Sequence, residues 1–236
     1  MRISLIIPTL NEREAIAPLF LRLDAVARAM APEHALEVVL VDDASTDGTV
    51  VAARTCAVSF SLVVVERKER GLATAVIAGF VAATGDVLGV MDADLSHPPE
   101  LIPQLVAALQ SADLVVGSRH AAGGVVEEWP WYRLYASALM MQLTRPLGVP
   151  VRDPLSGFFF LRRSVIDGVT LSPIGYKILL EILVKGRYKT VREVPYTFRN
   201  RGVGKSKMDL AEAMRYLRHL GRLYRWKFGK ETSAVH

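Results

Sequence analysis

The chain has 236 residues, 51% of them hydrophobic, and a formal net charge of +5. That length suits one α/β domain and leaves little room for two, and the apolar content excludes a low-complexity or disordered chain. The single cysteine, Cys56, excludes an internal disulfide framework, and no apolar run approaches the ~18 residues of a membrane-spanning helix.

Residues 3–7 form an apolar run too short for a signal peptide and closed by Pro8, so it reads as a first strand. Further β-rich runs fall at 36–41, 61–65, 87–91 and 114–117, with helical stretches at 12–30, 49–56, 72–83 and 99–110. This alternation predicts parallel βαβ units in a sheet covered on both faces. Ligands of such sheets sit beyond the carboxyl ends of the strands. There the sequence places Asn11 and Glu12, then Asp42, Asp43 and Asp47, then Asp92 and Asp94.

The second half is less regular. A glycine-bearing loop, 121–126, precedes an apolar helix near 134–144. The longest apolar stretch, 134–149, is interrupted by Gln142, Arg145 and Pro146. Asp153-Pro154-Leu155-Ser156-Gly157 is turn chemistry leading into a strand at 158–161. A helix at 176–185, a strand at 190–194, a polar loop at 202–207 and a last helix near 208–228 complete the chain. The expected division is a catalytic domain over 1–207 and a basic helix with its tail over 208–236. From Arg187 to Lys230 basic residues face few acids, which suggests an anionic partner.

Asp92 and Asp94 follow a strand, and residues two apart point the same way if the strand geometry continues. Two close carboxylates repel unless a cation lies between them, and hard divalent cations bind carboxylates together with substrate phosphates. The alternative is a pair of turn-forming acids before Pro98 and Pro99. Asp42 and Asp43 read either as turn acids or as acceptors for a base or ribose, with Asp47 capping the next helix. Asn11 and Glu12 are either a helix cap or part of the same ligand edge.

Taken in order, Pro8-Thr9-Leu10-Asn11-Glu12, Asp42-Asp43 with Asp47-Gly48-Thr49, Arg70 to Ala75, Asp92-Ala93-Asp94 through Glu100, and Gly117-Ser118-Arg119 closely resemble the inverting glycosyltransferases of family 2. Within it the chain looks like the dolichol- or polyprenyl-phosphate mannosyltransferases. Asp153 to Phe158, and Arg201 with Gly204 to Lys207, extend the match, which covers roughly residues 3–210.

The resemblance implies a single GT-A (Rossmann-like) domain and a donor site in which Pro8, Thr9, Asn11, Glu12, Asp42 and Asp43 hold the nucleoside. It implies that Asp92 and Asp94 face a diphosphate and its Mg²⁺ or Mn²⁺, with Asp94 central to catalysis. Arg119 and Arg133 are expected to grip an acceptor phosphate. Ser137 stands at an acceptor position where a further basic residue is expected, and Arg201 and Lys207 match basic positions near the diphosphate and lipid phosphate. GDP-mannose is the implied donor, with UDP-glucose or another nucleotide sugar as the alternative. The implied acceptor is a polyprenyl phosphate at the cytoplasmic face of a membrane, with room for a small membrane-protein partner.

A phosphomonoester is already an anion, with a second pKa near ~6, so no general base is required. His97, beside the acid pair, reads as part of a rigid turn rather than as a base. In the last helix Leu210, Met214, Leu217, Gly221, Tyr224 and Phe228 recur at helical spacing beside Arg215, Arg218, Arg222 and Arg225. That pattern reads either as a membrane-surface element or as a helix packed on its own domain with a solvated arginine face. Rival functions are a transferase acting on a glycan acceptor and a non-catalytic module that binds nucleotide sugars or anionic membranes. The processive Gln-x-x-Arg-Trp pattern is not met, because Arg222 precedes Arg225-Trp226. No nucleic-acid recognition motif is present.

Overall fold

The computed structural model describes residues 1–127, 131–198 and 210–231. Strands β1 (Arg2–Thr9), β2 (Ala35–Asp42), β3 (Ser61–Glu66) and β4 (Val87–Val90) alternate with helices α1 (Arg13–Met30), α2 (Thr49–Thr55) and α3 (Leu72–Ala82). A 3-10 turn (Pro99–Leu101) then leads into α4 (Ile102–Ala108) and β5 (Leu114–Ser118). The helix expected over 99–110 starts as this tighter turn because Pro98, Pro99 and Pro103 donate no backbone hydrogen bonds. The remaining strands and α-helices are β6 (Val125–Val126), α5 (Trp131–Gln142), β7 (Phe159–Arg162), α6 (Ile178–Lys185), β8 (Val191–Pro195), β9 (Thr197–Phe198) and α7 (Leu210–Glu231).

Seven strands form one sheet in the order β3-β2-β1-β4-β7-β5-β8, and β6 pairs with β9 in a small second sheet. Every neighbouring pair in the large sheet is parallel except the two made by β7, which runs against β4 and β5. The reversal matters for function. The start of β7, rather than its end, lies at the carboxyl edge of the other strands, so the turn Asp153 to Gly157 arrives where the acids are.

Alternation along the strands builds two cores. Ile3, Leu5, Ile7, Val38 and Leu40 pack with α1 and α4 on one face. Ile6, Val39, Val41, Leu88 and Val90 pack with α3 and α6 on the other. A third cluster joins Tyr216, Leu220 and Leu223 of α7 to Leu147, Leu155 and Leu180, so α7 is docked on its own domain. Its buried face is not the one that the helical spacing picked out, since Met214, Leu217 and Phe228 are exposed. The expected division at 207/208 falls outside the described residues. Among the described residues no helix is long and apolar enough to cross a membrane.

Candidate active site

The edge built by β1, β2 and β4 is held by turns at the strand ends and by bonds between neighbouring loops. Asn11, Ala44 and Leu95, in the loops after these three strands, are the non-glycine residues with positive φ among those described, at 56°, 61° and 62°. Such backbone is costly and collects at sites where the chain must be shaped for a ligand.

After β2 both expected acids are engaged within the protein. Asp42 accepts from Thr9 Oγ1 at 3.1 Å, from the Ser45 N–H at 2.8 Å and from Ser45 Oγ at 2.5 Å. Asp43 accepts from Arg67 Nη1 and from the Gly71 N–H, each at 2.7 Å. Burial pushes the Asp43 carboxyl up, more than the Gly71 N–H and Arg67 pull it down. Both acids thus serve the protein's own turns, and these bonds do not separate the turn reading from the base or ribose reading. Gly48 takes the N-cap position of α2, and Asp47, one residue earlier, still serves the helix start by accepting from the Thr49 N–H at 2.9 Å and also from the Arg13 N–H at 3.0 Å. Asn11 Oδ1 accepts from the Thr46 N–H at 2.9 Å, which ties the first loop to the second. Pro8 is buried at the end of β1, and the Glu12 N–H donates to Thr49 Oγ1 at 2.9 Å.

β4 ends at Val90, two residues earlier than a continued strand would place the acid pair. The side-chain alternation nevertheless persists: Met91 and Ala93 enter the core, while Asp92 and Asp94 are half-buried at the edge. Asp94 Oδ1 accepts from the Ser96 N–H at 3.1 Å and Ser96 Oγ at 2.6 Å, a tight Asx turn. His97 positions Asp92. Its Nδ1 accepts from the Asp92 N–H at 3.1 Å, which leaves the ring proton on Nε2. The ring stacks on Phe158, with centroids 5.1 Å apart, and meets Tyr196 and Phe198 edge-on. Burial pushes the imidazole pKa down despite the nearby carboxylates, so His97 stays neutral and acts as a strut.

Across the edge lies a cationic group. Arg119, at the end of β5, donates from Nε to Asp153 Oδ2 at 2.7 Å and from Nη2 to Oδ1 at 2.8 Å. The Arg119 N–H also donates to Asp153 Oδ2, at 3.0 Å. Asp153 is fully buried; burial pushes its carboxyl up, but the Arg119 bonds and charge more than offset this and hold it below the usual carboxylate range. One edge of the guanidinium expected to grip a phosphate is therefore committed to Asp153, which fixes its orientation over the Phe198 ring at 5.6 Å. Ser137 is half-buried on α5. Arg133 lies in the first turn of α5, with its side chain outside the described residues, as are Arg201 and Lys207.

The structure adds a residue that sequence reasoning missed. Lys177, half-buried just before α6, donates from Nζ to the Leu155 carbonyl at 3.3 Å and lies 4.4 Å from the centroid of the Tyr176 ring. Its pKa is pushed down to about 8, first by burial and then by the Arg119 charge, against the pull of Asp153 and Asp92. Those partners place it in the same electrostatic field as the acid pair. In sequence it is one lysine at the start of an apolar helix, and only the neighbouring Gly175 and aromatic Tyr176 hint at a special turn.

A divalent cation suits this edge. Among the described residues no cluster of three or more His, Cys, Asp or Glu side chains could hold a metal by itself. Two carboxylates with hard oxygen donors are what remains, the arrangement in which substrate phosphates and water complete the shell. Space is kept open beside them: a Cβ at Gly157 would lie 3.3 Å from Asp92 Oδ2 and 3.3 Å from His97 Cε1.

Comparison with known proteins gives this edge a context. The family model described as glycosyl transferase family 2 matches residues 4–170. A dolichol-phosphate mannosyltransferase of Pyrococcus furiosus is 47% identical over 232 residues, covering 96% of this chain and 65% of the relative, so the chain spans less than two thirds of that protein. A dolichol-phosphate mannosyltransferase of Saccharomyces cerevisiae is 38% identical, covering 96% of this chain and 88% of the relative. Among solved structures, glucosyl-3-phosphoglycerate synthase from Mycobacterium tuberculosis, in complex with Mn²⁺, UDP and phosphoglyceric acid, superposes with a TM-score of 0.67 at 21% identity. That superposition covers 95% of this chain and 78% of the other, and it shows a shared fold.

Proposed function

The chain belongs to glycosyl transferase family 2, and from that premise we propose that it transfers a mannosyl residue from GDP-mannose to a polyprenyl (dolichyl) phosphate, with inversion, at the cytoplasmic face of a membrane. The observation that carries the acceptor half is the Arg119 guanidinium, held by Asp153 and lying over the Phe198 ring that meets His97 beside Asp92, with Lys177 in the same electrostatic field and the His97 imidazole buried and neutral. The relatives named as dolichol-phosphate mannosyltransferases support the sugar and the lipid.

In this reading Asn11 and the Asp42–Asp43 turn shape the nucleoside pocket, and Asp92 and Asp94 hold Mg²⁺ or Mn²⁺ against the donor diphosphate. The ion, when bound, neutralises charge on the leaving nucleotide. Arg119, oriented by Asp153, with Arg133, Ser137 and Lys177, aligns the acceptor phosphate; Arg201 and Lys207 supply further positive charge near the two phosphates. A phosphate oxygen forms a bond to the anomeric carbon while the bond from that carbon to the diphosphate breaks, and the electron pair leaves with GDP. No proton changes hands, since the monoester is mostly dianionic at neutral pH with a pKa near ~6. Alignment and charge therefore provide the catalysis.

Mass spectrometry of products from a panel of nucleotide sugars, with a short prenyl phosphate or the matching free prenol, tests both halves. The expected product is mannosyl prenyl phosphate from GDP-mannose alone. Preferential transfer from UDP-glucose would overturn the donor assignment. Efficient glycosylation of the prenol would overturn the phosphate nucleophile.

A further inference from the structure

The segment that ends at Lys177 has no regular structure of its own, and side chains of α6 and α7 give it its shape. The Thr170 carbonyl accepts from Lys185 Nζ at 3.2 Å. The Ser172 N–H donates to Glu181 Oε1 at 3.0 Å, and the Ile174 N–H donates to His219 Nδ1 at 3.3 Å. Gly175 then turns with a φ of 77°, and a Cβ there would lie 3.5 Å from Glu212 Oε2 and 3.6 Å from Arg215 Cβ, so the turn is set against α7. Two residues later Lys177 Nζ reaches the Leu155 carbonyl.

His219 and Glu181 are fully buried. Because Nδ1 accepts, the ring proton of His219 sits on Nε2. Among the described residues neither His219 Nε2 nor Glu181 Oε2 has a hydrogen-bond partner. Burying such polar atoms in a helix contact costs free energy that an apolar pair would not. Burial pushes the imidazole pKa down; Glu181 pulls it up, and the charges of Arg222 and Lys185 push it down again. His219 is therefore neutral at neutral pH, the form whose Nδ1 can accept.

We propose that His219, with Glu181, is a positioning residue for the transfer: the two side chains hold the 172–177 segment so that the Lys177 ammonium faces the acceptor phosphate. A lysine ammonium rides on a flexible four-carbon stem, so it is placed only as well as the backbone that carries it. The neighbouring cations are committed elsewhere, Lys185 to Glu181 and Arg215 to Glu212. Among the described residues Lys177 Nζ has no carboxylate partner; it touches a carbonyl and a ring, which leaves its charge for an anion. The inference rests on the proposed reaction for the identity of that anion. It goes beyond it by making the buried face of α7 a part of acceptor recognition. A purely structural imidazole predicts otherwise, since loss of its Nδ1 bond would then lower the melting temperature and leave the acceptor step untouched.

The test compares two amides at position 219 of the full chain. His219→Asn places its amide where Nδ1 lies and can still accept from Ile174, whereas His219→Gln places it at the Nε2 position and loses that bond. Circular dichroism checks that both fold, and His219→Leu removes the same acceptor should the Gln variant fail. NMR titration of the Lys177 ammonium, assigned with Lys177→Arg, reads the brace without any turnover. In His219→Gln its pKa should rise from about 8 toward the ordinary ~10.4, while His219→Asn stays near the wild type. With a short, water-soluble prenyl phosphate, His219→Gln should lower acceptor kcat/KM by up to about tenfold, mainly through KM, with donor KM unchanged. An unmoved Lys177 titration in a folded His219→Gln, or a His219→Asn that behaves like it, overturns the proposal. So does a moved titration with an unchanged acceptor KM. Absence of transfer by the wild type overturns the reaction and with it the acceptor role of the brace, and a titration that still responds tells this apart from a brace that never held.

Discussion

The acids and the cations of the candidate site are held in different ways. Asp42 is fixed by Ser45 three residues on, Asp94 by Ser96 two on, and Asp47 by Thr49 two on. Arg119 is fixed by Asp153, 34 residues away, Asp153 by the Glu193 carboxylate 40 away, and Lys177 by the Leu155 carbonyl 22 away. The acid side is built mainly of turns at each strand end, which Thr9 and Asn11 tie across from β1 to β2 and which Asp43 extends to Arg67 and Gly71. The cation side exists only once β7 has been inserted against β5 and α6 has docked. Removing a residue should therefore damage chemistry alone on the acid side, and chemistry together with stability on the cation side.

The largest expected effect tests the first half of that statement. Asp94→Asn keeps an oxygen to accept from Ser96, so the turn and the circular dichroism spectrum should persist. Loss of one metal-binding charge should lower turnover about 100- to 1000-fold, since each ~1.4 kcal/mol of transition-state stabilisation is tenfold in rate. Asp92→Asn should be milder. Near-normal turnover in Asp94→Asn, or full activity in EDTA, would remove the metal from the reading.

Arg119→Ala should cost less turnover but also weaken the fold. Loss of charge-assisted bonds of ~1.5–3 kcal/mol predicts a 10- to 100-fold drop in acceptor efficiency. Because Asp153 would be left buried and unpaired, unfolding in denaturant should show a destabilisation of about 3–5 kcal/mol. Arg119→Lys should recover part of each, since it keeps the charge but loses the fork. Donor and metal binding by calorimetry should change little. A variant that lost activity with unchanged stability would put Arg119 on the acid side of the comparison.

Lys177 gives a smaller effect with a pH signature. Its pKa in the fold, about 8, lies below the ordinary lysine value, so the charged form costs the folded state and stability should rise as pH climbs from about 8 toward ~10.4. Phosphate binding needs the charged form, so acceptor kcat/KM should fall as pH rises through about 8. Lys177→Arg should move that limb upward, and Lys177→Met should abolish it while lowering the plateau about tenfold. A limb unmoved in Lys177→Arg would assign it to another group.

The same contrast explains what could be read in advance. Strands expected at 3–7, 36–41 and 61–65 occur as Arg2–Thr9, Ala35–Asp42 and Ser61–Glu66, because alternation and turn residues are local properties. The strand-end positions of Asp92, Asp94 and Arg119 were legible for the same reason, each lying in a short run just past a strand. Three features lay beyond reach. The insertion of β7 between β4 and β5 depends on Phe158 and Phe160 entering one core and Phe159 and Leu161 the other, which fits either strand direction. β6 and β9 have two residues each and take their shape from each other. Lys177 looks like any surface lysine until the fold sets it on the Leu155 carbonyl, within the field of Arg119 and Asp153. The internal bonds of Asp42 and Asp43 were legible only as alternatives, since a carboxylate in a turn serves backbone and ligand with the same atoms.

The smallest effect concerns α7, whose four arginines look equivalent in sequence and are not equivalent in the fold. Arg215 pairs with Glu212, and Arg222 is half-buried within reach of the field at His219. Only Arg218 and Arg225 present charge to solvent without such constraints, and they flank the exposed Met214, Leu217 and Phe228. Replacing all four by Gln should weaken sedimentation with anionic vesicles, more at low salt where screening is weakest. The loss should trace to Arg218 and Arg225. Replacing Arg222 alone should instead change the melting temperature, because its charge sits against the α6–α7 packing rather than at a lipid surface. Transfer to a short, soluble prenyl phosphate should survive the Arg218 and Arg225 changes, since neither residue belongs to the catalytic edge. No change at all would leave the α7 arginines a solvated face, the plainer of the two readings that their spacing allows.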